Sequence, residues 1–205
     1  MKTGLATGAT RRSVLFGAAA LALARGSSGA PQPAGATAAG TRDRLQREMQ
    51  IHRVRELGLE IWIENQPPWD FQRVDVNGRP QWAASSPDNY HPPSALVFAS
   101  WPDVPSMETF VETTAGHAIR RASRNFGLNP QDSRAIKVTP ARHGVLEGFE
   151  SDFVGKVEQV VMDVRVFVGR QPGKFPVALT AYTLQGKLGL LSEVMRRSFT
   201  HVKYL

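Results

Sequence analysis

The dipeptide Asn77-Gly78 restricts the fold more than any other short segment of the chain. A two-residue type I′ turn needs positive φ at both central positions, which Asn and Gly tolerate best, and its twist suits antiparallel strands. Residues 71–76 (FQRVDV) and 79–83 (RPQWA) flank it with strand-like composition. The segment therefore predicts a tight antiparallel hairpin in the first half of the chain.

Further strands are predicted at 59–64 (LEIWIE), closed by Pro67-Pro68, and at 95–101 (ALVFASW), stopped by Pro102. Four more are expected at 135–139, 145–154, 157–168 and 177–184, with turns at Gly155-Lys156 and at 170–173. The second half of the 160–168 run alternates apolar and polar residues, marking one buried and one wet face. Helical spacing predicts a short helix from Thr41 carrying Leu45, Met49 and His52. A longer helix is expected from Ser106 to Gly127, with Met107, Phe110, Val111, Ala115, Ala118, Ile119 and Ala122 on one stripe. Arg120, Arg121 and Arg124 near its end suit the helix dipole. A closing helix over 187–197 places Leu188, Leu191, Val194 and Met195 on one side. Antiparallel strands without strict strand–helix–strand alternation predict an α+β domain, a central antiparallel sheet with helices packed on it.

The first 38 residues carry a different message. Thr10-Arg11-Arg12-Ser13-Val14-Leu15-Phe16 precedes an apolar segment of about eleven residues and then Arg25, the layout of an export signal. Arg11 and Arg12 are read as a twin-arginine motif; Thr10 and Leu15 also match S/T-R-R-x-F-L-K, while Val14 and Phe16 depart from it. The apolar segment is too short to span a bilayer, which takes roughly 20 residues, so it is expected to be removed rather than to anchor the chain. The small-residue pairs Ala34/Ala36 and Ala36/Ala38 are the expected cleavage positions. The expected organisation is a signal over 1–38 and one domain over 39–205, working in the periplasm or outside the cell, with the twin-arginine translocase as export partner.

Removing the signal changes the charge argument. The formal net charge is +7, and Lys2, Arg11, Arg12 and Arg25 stand in a segment without acids, so the remainder is only about +3. Basic residues there alternate with acids, as in Arg42-Asp43-Arg44, whereas nucleic-acid binders concentrate a basic stripe. No nucleic-acid partner is expected. The absence of cysteine excludes disulfides, thiolate metal sites and cysteine nucleophiles. His52, His91, His117, His143 and His201 are scattered without ligand spacing, and no metal or cofactor is expected. No serine-hydrolase elbow or phosphate-cradling glycine loop occurs after the signal. Glu150 and Asp152 share a strand face, which a solvated surface explains better than a catalytic carboxylate pair. No catalytic residue is assigned.

One feature exceeds ordinary composition: Trp69, Trp82, Tyr90, His91 and Trp101 gather around Pro-rich loops. Tyr and Trp combine large contact area with a polar handle and commonly serve recognition. Trp69 and Trp101 read as core; Tyr90, His91 and Trp82 are the candidate binding residues.

The order of elements after residue 57 is similar to the PsbP-like family, which includes exported proteins of the DcrB type. The resemblance lies in Gly144-x-x-Glu147-Gly148-Phe149, the long strand over 160–168, the strand over 176–183, and the closing helix running into Arg197-Ser198-Phe199. The early strand over 59–64 with its Pro67-Pro68-Trp69 corner matches as well. The resemblance implies an α/β/α sandwich that is usually non-enzymatic and acts on extracytoplasmic complexes. The leading expectation is thus an exported accessory protein that binds another protein or complex, without a stable membrane anchor. A small exported hydrolase or cofactor-using enzyme with a loop-built site, and a small-ligand carrier, are the alternatives.

Overall fold

The computed structural model describes residues 47–102 and 112–205. Strand β1 (Met49–Val54) pairs antiparallel with β2 (Leu59–Glu64), from Met49 opposite Glu64 to Val54 opposite Leu59. The helix expected from Thr41 therefore does not run through His52. Met49 and Val54 are buried while Ile51 is exposed, a pattern without clean alternation that pairing with β2 resolves in favour of a strand.

Strands β3 (Asp70–Val76) and β4 (Arg79–Ser85) form the predicted hairpin. Asn77 and Gly78 have φ of 53° and 76°, as a type I′ turn demands. Next, β5 (Ser94–Ser100) pairs with β4 over Trp82–Ser85. Helix α1 (Glu112–Asn125) is the described part of the helix expected from Ser106; Met107, Phe110 and Val111 lie outside the described residues.

Helix α2 (Pro130–Ala135) occupies the approach to a segment expected to be a strand from Ala135. Asn129 caps it, its Oδ1 accepting from the amides of Gln131 (2.9 Å) and Asp132 (2.8 Å), and Pro130 stands at the first helical position, where a missing amide costs nothing. The strand begins only with β6 (Thr139–His143).

Strands β7 (Leu146–Val157) and β8 (Val160–Arg170) make the longest hairpin of the fold. Its turn is Glu158-Gln159, both at positive φ, rather than Gly155-Lys156. Gly155 stays within the strand for packing: a Cβ there would stand 2.7 Å from the Cβ of Phe126. Strand β9 (Val177–Leu184) follows, then a 3₁₀ turn (Leu188–Leu191), helix α3 (Ser192–Thr200) and the two-residue β10 (Lys203–Tyr204), which pairs with β2.

The main sheet has seven strands in the order β3-β4-β5-β9-β8-β7-β6, and β1-β2-β10 form a second, smaller one. Alternation along β8 divides the interior. Val164, Val166 and Val168 point to α1, with Ala115, Ile119 and Phe153, while Phe167 points to the opposite face with Phe98, Leu179, Leu191, Met195 and Phe199. The fold is α+β, with helices on both faces of an antiparallel sheet; the smaller sheet shares its layer with α3. Leu191, Val194 and Met195 are buried on the expected side of the closing helical segment.

Candidate functional site

Strand β2 ends in an acid that its apolar run does not advertise. Glu64 is only 5% exposed, and its carbonyl accepts from the amide of Trp69 (3.1 Å), which closes the 65–68 corner. The next amide, of Asn65, donates to Glu48 O (2.8 Å). From α3, Arg197 reaches across: Nη2 donates to Glu64 Oε2 (2.7 Å) and Nη1 to Glu48 Oε2 (3.0 Å). A guanidinium with two carboxylates thus ties α3 to the open end of the β1–β2 pair, where Met49 stands opposite Glu64. Burial pushes the Glu64 carboxyl above its usual range, and the Arg197 charge opposes that shift without cancelling it.

Trp69 is buried, and Tyr90 of the 86–93 loop meets it edge to face, with ring centroids 5.3 Å apart. The amide of Tyr90 donates to Pro87 O (2.9 Å), shaping the loop as a turn. Burial, seconded by the Glu64 charge, raises the Tyr90 phenol, so its hydroxyl remains a proton donor at neutral pH. Above these groups stands an exposed rim: Asn65, Gln66, Pro67 and Pro68 on one loop, Asp88, Asn89 and His91 on the other.

Of the three residues expected to bind, His91 is exposed and Tyr90 is half-buried on Trp69. Trp82 is committed elsewhere. It stacks on Phe71 (5.0 Å), which in turn meets His52 (4.2 Å) and Phe98 (6.3 Å). Trp69 is core, as its sequence context suggested, and Trp101 is half-buried beside the α1 cluster. Sequence reasoning missed Glu64 and Arg197, whose pairing joins positions 133 residues apart.

The other chemistry-bearing residues are engaged separately. His143 lies 3.2 Å from Glu150 and edge-on to Phe167 and Phe199. Asp152 accepts both Nε and Nη2 of Arg165 at 2.7 Å. His201 stacks on Trp62 (5.0 Å), and His117 is exposed on α1. No group of three or more His, Asp or Glu is placed to hold a metal ion among the described residues, and none of their helices is long and apolar enough to cross a membrane.

No protein-family model and no curated protein sequence matches the chain. Solved structures do match it, three of them as follows. A protein from Bacteroides thetaiotaomicron VPI-5482 superposes with TM-score 0.50 at 8% identity, over 77% of this chain and 49% of the other. This chain thus spans about half the length of that protein. The cyanobacterial PsbP (CyanoP) of Synechocystis sp. PCC 6803 gives 0.49 at 11% identity, over 86% and 98% of the two chains. LpqN of Mycobacterium tuberculosis, described as involved in cell envelope biogenesis, gives 0.35 at 10% identity, over 78% and 79%. At these identities the first likeness bears on the fold alone.

Proposed function

We propose that the chain is an exported, non-enzymatic accessory protein that binds another protein or complex in the periplasm or outside the cell, using the paired loops 65–68 and 86–93. The observation that carries this reading is the way the loops are braced. Exposed Pro, Asn, Asp and His side chains stand on backbone fixed by Trp69, Tyr90 and the Glu48–Arg197–Glu64 clamp, so little loop ordering remains to be done on binding. A corner of exposed aliphatic side chains at the β7–β8 tip, Val154, Val160 and Val161, with Leu184 beside it, adds apolar surface of the kind partners cover.

Two measurements test the two halves of the reading. Photo-crosslinking in the living cell, from an amber-encoded probe at Asn89, should trap a defined partner band that Tyr90→Ala with His91→Ala abolishes. Recovery of the same band by the variant removes the loops from the proposal. Fractionation should find the wild-type chain outside the cytoplasm and an Arg11→Lys, Arg12→Lys chain retained within it; equal export of both would overturn the twin-arginine route.

A further inference from the structure

The acids of this fold are largely used up by partners. Glu56 and Asp75 pair with Arg73, Glu60 with Arg53, Glu48 and Glu64 with Arg197, Asp152 with Arg165, and Glu193 with Arg196. Asp163 accepts the amides of Gly186 and Leu188. Among the described residues, five cations without an acid partner fall in one stretch, while Arg55, Arg79, Lys156, Lys174 and Lys187 are spread singly over other elements. Across residues 113–138, Arg121, Arg124, Arg134 and Lys137 are exposed and Arg120 is half-buried, none with a carboxylate partner among the described residues. The single acid in that stretch, Asp132, is exposed and bonded to Asn129 (2.7 Å).

The layer is also rigid. Ser123 Oγ and Ser133 Oγ, both buried, lie 2.8 Å apart, and both hydroxyls donate to Arg120 O (2.9 and 2.7 Å). That polar weld holds α2 against α1 while Ala115 and Ile119 face Phe153 and Val164 beneath. The arginines therefore stand on a fixed platform rather than on a mobile loop.

We propose that the outer face of α1 and α2 docks on a bilayer surface containing anionic phospholipid, holding the domain peripherally at the membrane. Charge complementarity names the partner. Guanidinium groups match phosphate oxygens bidentately, and several of them on two welded helices suit a surface of repeating headgroups. An acidic protein is the poorer fit, because specific interfaces need a buried apolar centre, and no large apolar side chain is exposed over 113–138. Single-stranded nucleic acid calls for exposed aromatics on which bases stack. The one Phe, Tyr or Trp here, Phe126, is half-buried against Phe153 and Tyr182. This surface is separate from the loop rim, so either assignment can fail without the other.

Vesicle co-sedimentation of the full chain tests it, with phosphatidylcholine vesicles and the same vesicles doped with phosphatidylglycerol, at rising salt. Arg121→Glu with Arg124→Glu and Arg134→Glu is compared with an equal charge change at exposed sites elsewhere, Arg55→Glu with Arg79→Glu and Lys187→Glu. Each cation near an anionic surface is worth about fivefold in binding, so removing three should cost about a hundredfold on doped vesicles and the first triple variant, which reverses them, at least that. The control set should lose far less, and wild-type binding should fade as the Debye length shortens to about 8 Å. Equal loss in both triple variants assigns any binding to net charge or the signal segment and overturns the proposal. So does tighter binding to duplex DNA or polyglutamate than to doped vesicles at the same salt. Circular dichroism of both variants must show the wild-type fold, and Arg→Gln replacements at the same three positions supply the comparison if the reversals unfold.

Discussion

At the scale of single residues, the buried acid Glu64 and the half-buried His52 pull stability in opposite directions as pH changes. Glu64 holds its proton more tightly folded than unfolded, because burial raises it above its ordinary value near 4.5. The folded state then binds more protons, so this contribution is fully present below about 4.5 and is lost as pH rises through the raised value. Burial lowers His52 below 6.5, so its contribution is present above 6.5 and is lost as pH falls through the lowered value. In urea unfolding across pH 4.5 to 7.5, the stability of wild type minus that of Glu64→Gln should fall with rising pH, and that of wild type minus His52→Phe should rise. Arg197→Met should cost about 3–5 kcal/mol near neutrality, since Glu64 is left buried without its cation, and much less at the acid end. A cost for Arg197→Met that does not vary with pH would show that Glu64 is not the group it compensates. Glycine 144 gives a second residue-scale test. Its φ is +58°, and a Cβ would stand 2.2 Å from Thr200 O, whereas Gly78 has φ of +76° with open space around it. Both alanine variants share about 1 kcal/mol of backbone strain, so the further loss at Gly144→Ala, about 1–3 kcal/mol in chemical denaturation, measures the clash with α3. Similar costs at the two positions would remove the clash.

Among elements, those with strong local chemistry were legible in the sequence. The Asn77-Gly78 hairpin, β2 and β9 stand where turn residues and apolar runs placed them, because their neighbours in sequence are also their partners or their ends. Helix α2 was legible in principle: Asn129 followed by Pro130 is a cap and first-turn pair, but the β-branched residues after it drew the reading toward a strand. Asn129→Ala should cost about 1 kcal/mol and, in hydrogen exchange, deprotect the α2 amides before those of α1; loss spread evenly over the domain would show that the cap is not what holds α2. Strand β1 was not legible, since its identity comes from pairing rather than from its own pattern. The same holds for the candidate site. Tyr90 stands out in sequence because it is aromatic in a polar loop, while Glu64 and Arg197, which brace the 65–68 corner beneath it, are joined only by the fold. Trp82 shows the converse: its side chain reads as free in sequence, and the fold stacks it on Phe71.

For the whole molecule, the question is whether the helical platform and the layer bearing the loop rim unfold as one. Strand β8 answers it physically, because consecutive residues Val166, Phe167 and Val168 enter opposite clusters, so neither interior can dissolve without stripping one side of the same strand. Strand β9 repeats the arrangement, with Leu179 in one cluster and Ala178 and Tyr182 against the other. A domain joined in this way should unfold in a single step under denaturant. The four tryptophans allow the two faces to be watched separately: Trp62, Trp69 and Trp82 lie on or beside the α3 side, and Trp101 lies beside the α1 cluster. A chain retaining only Trp101 and one carrying Trp101→Phe should each give a fluorescence midpoint that coincides with its own far-ultraviolet dichroism midpoint. Ile119→Ala, made in the α1 interior, should cost about 2–5 kcal/mol and lower the midpoint seen by Trp69 as much as that seen by Trp101. If Trp101 alone shifted, the platform would be a separately melting unit, and the rim could then keep its geometry while the cationic face was lost. Coincident shifts mean that any substitution weakening one proposed binding surface through stability weakens the other equally. Only variants with unchanged midpoints can therefore separate a lost contact from a lost fold.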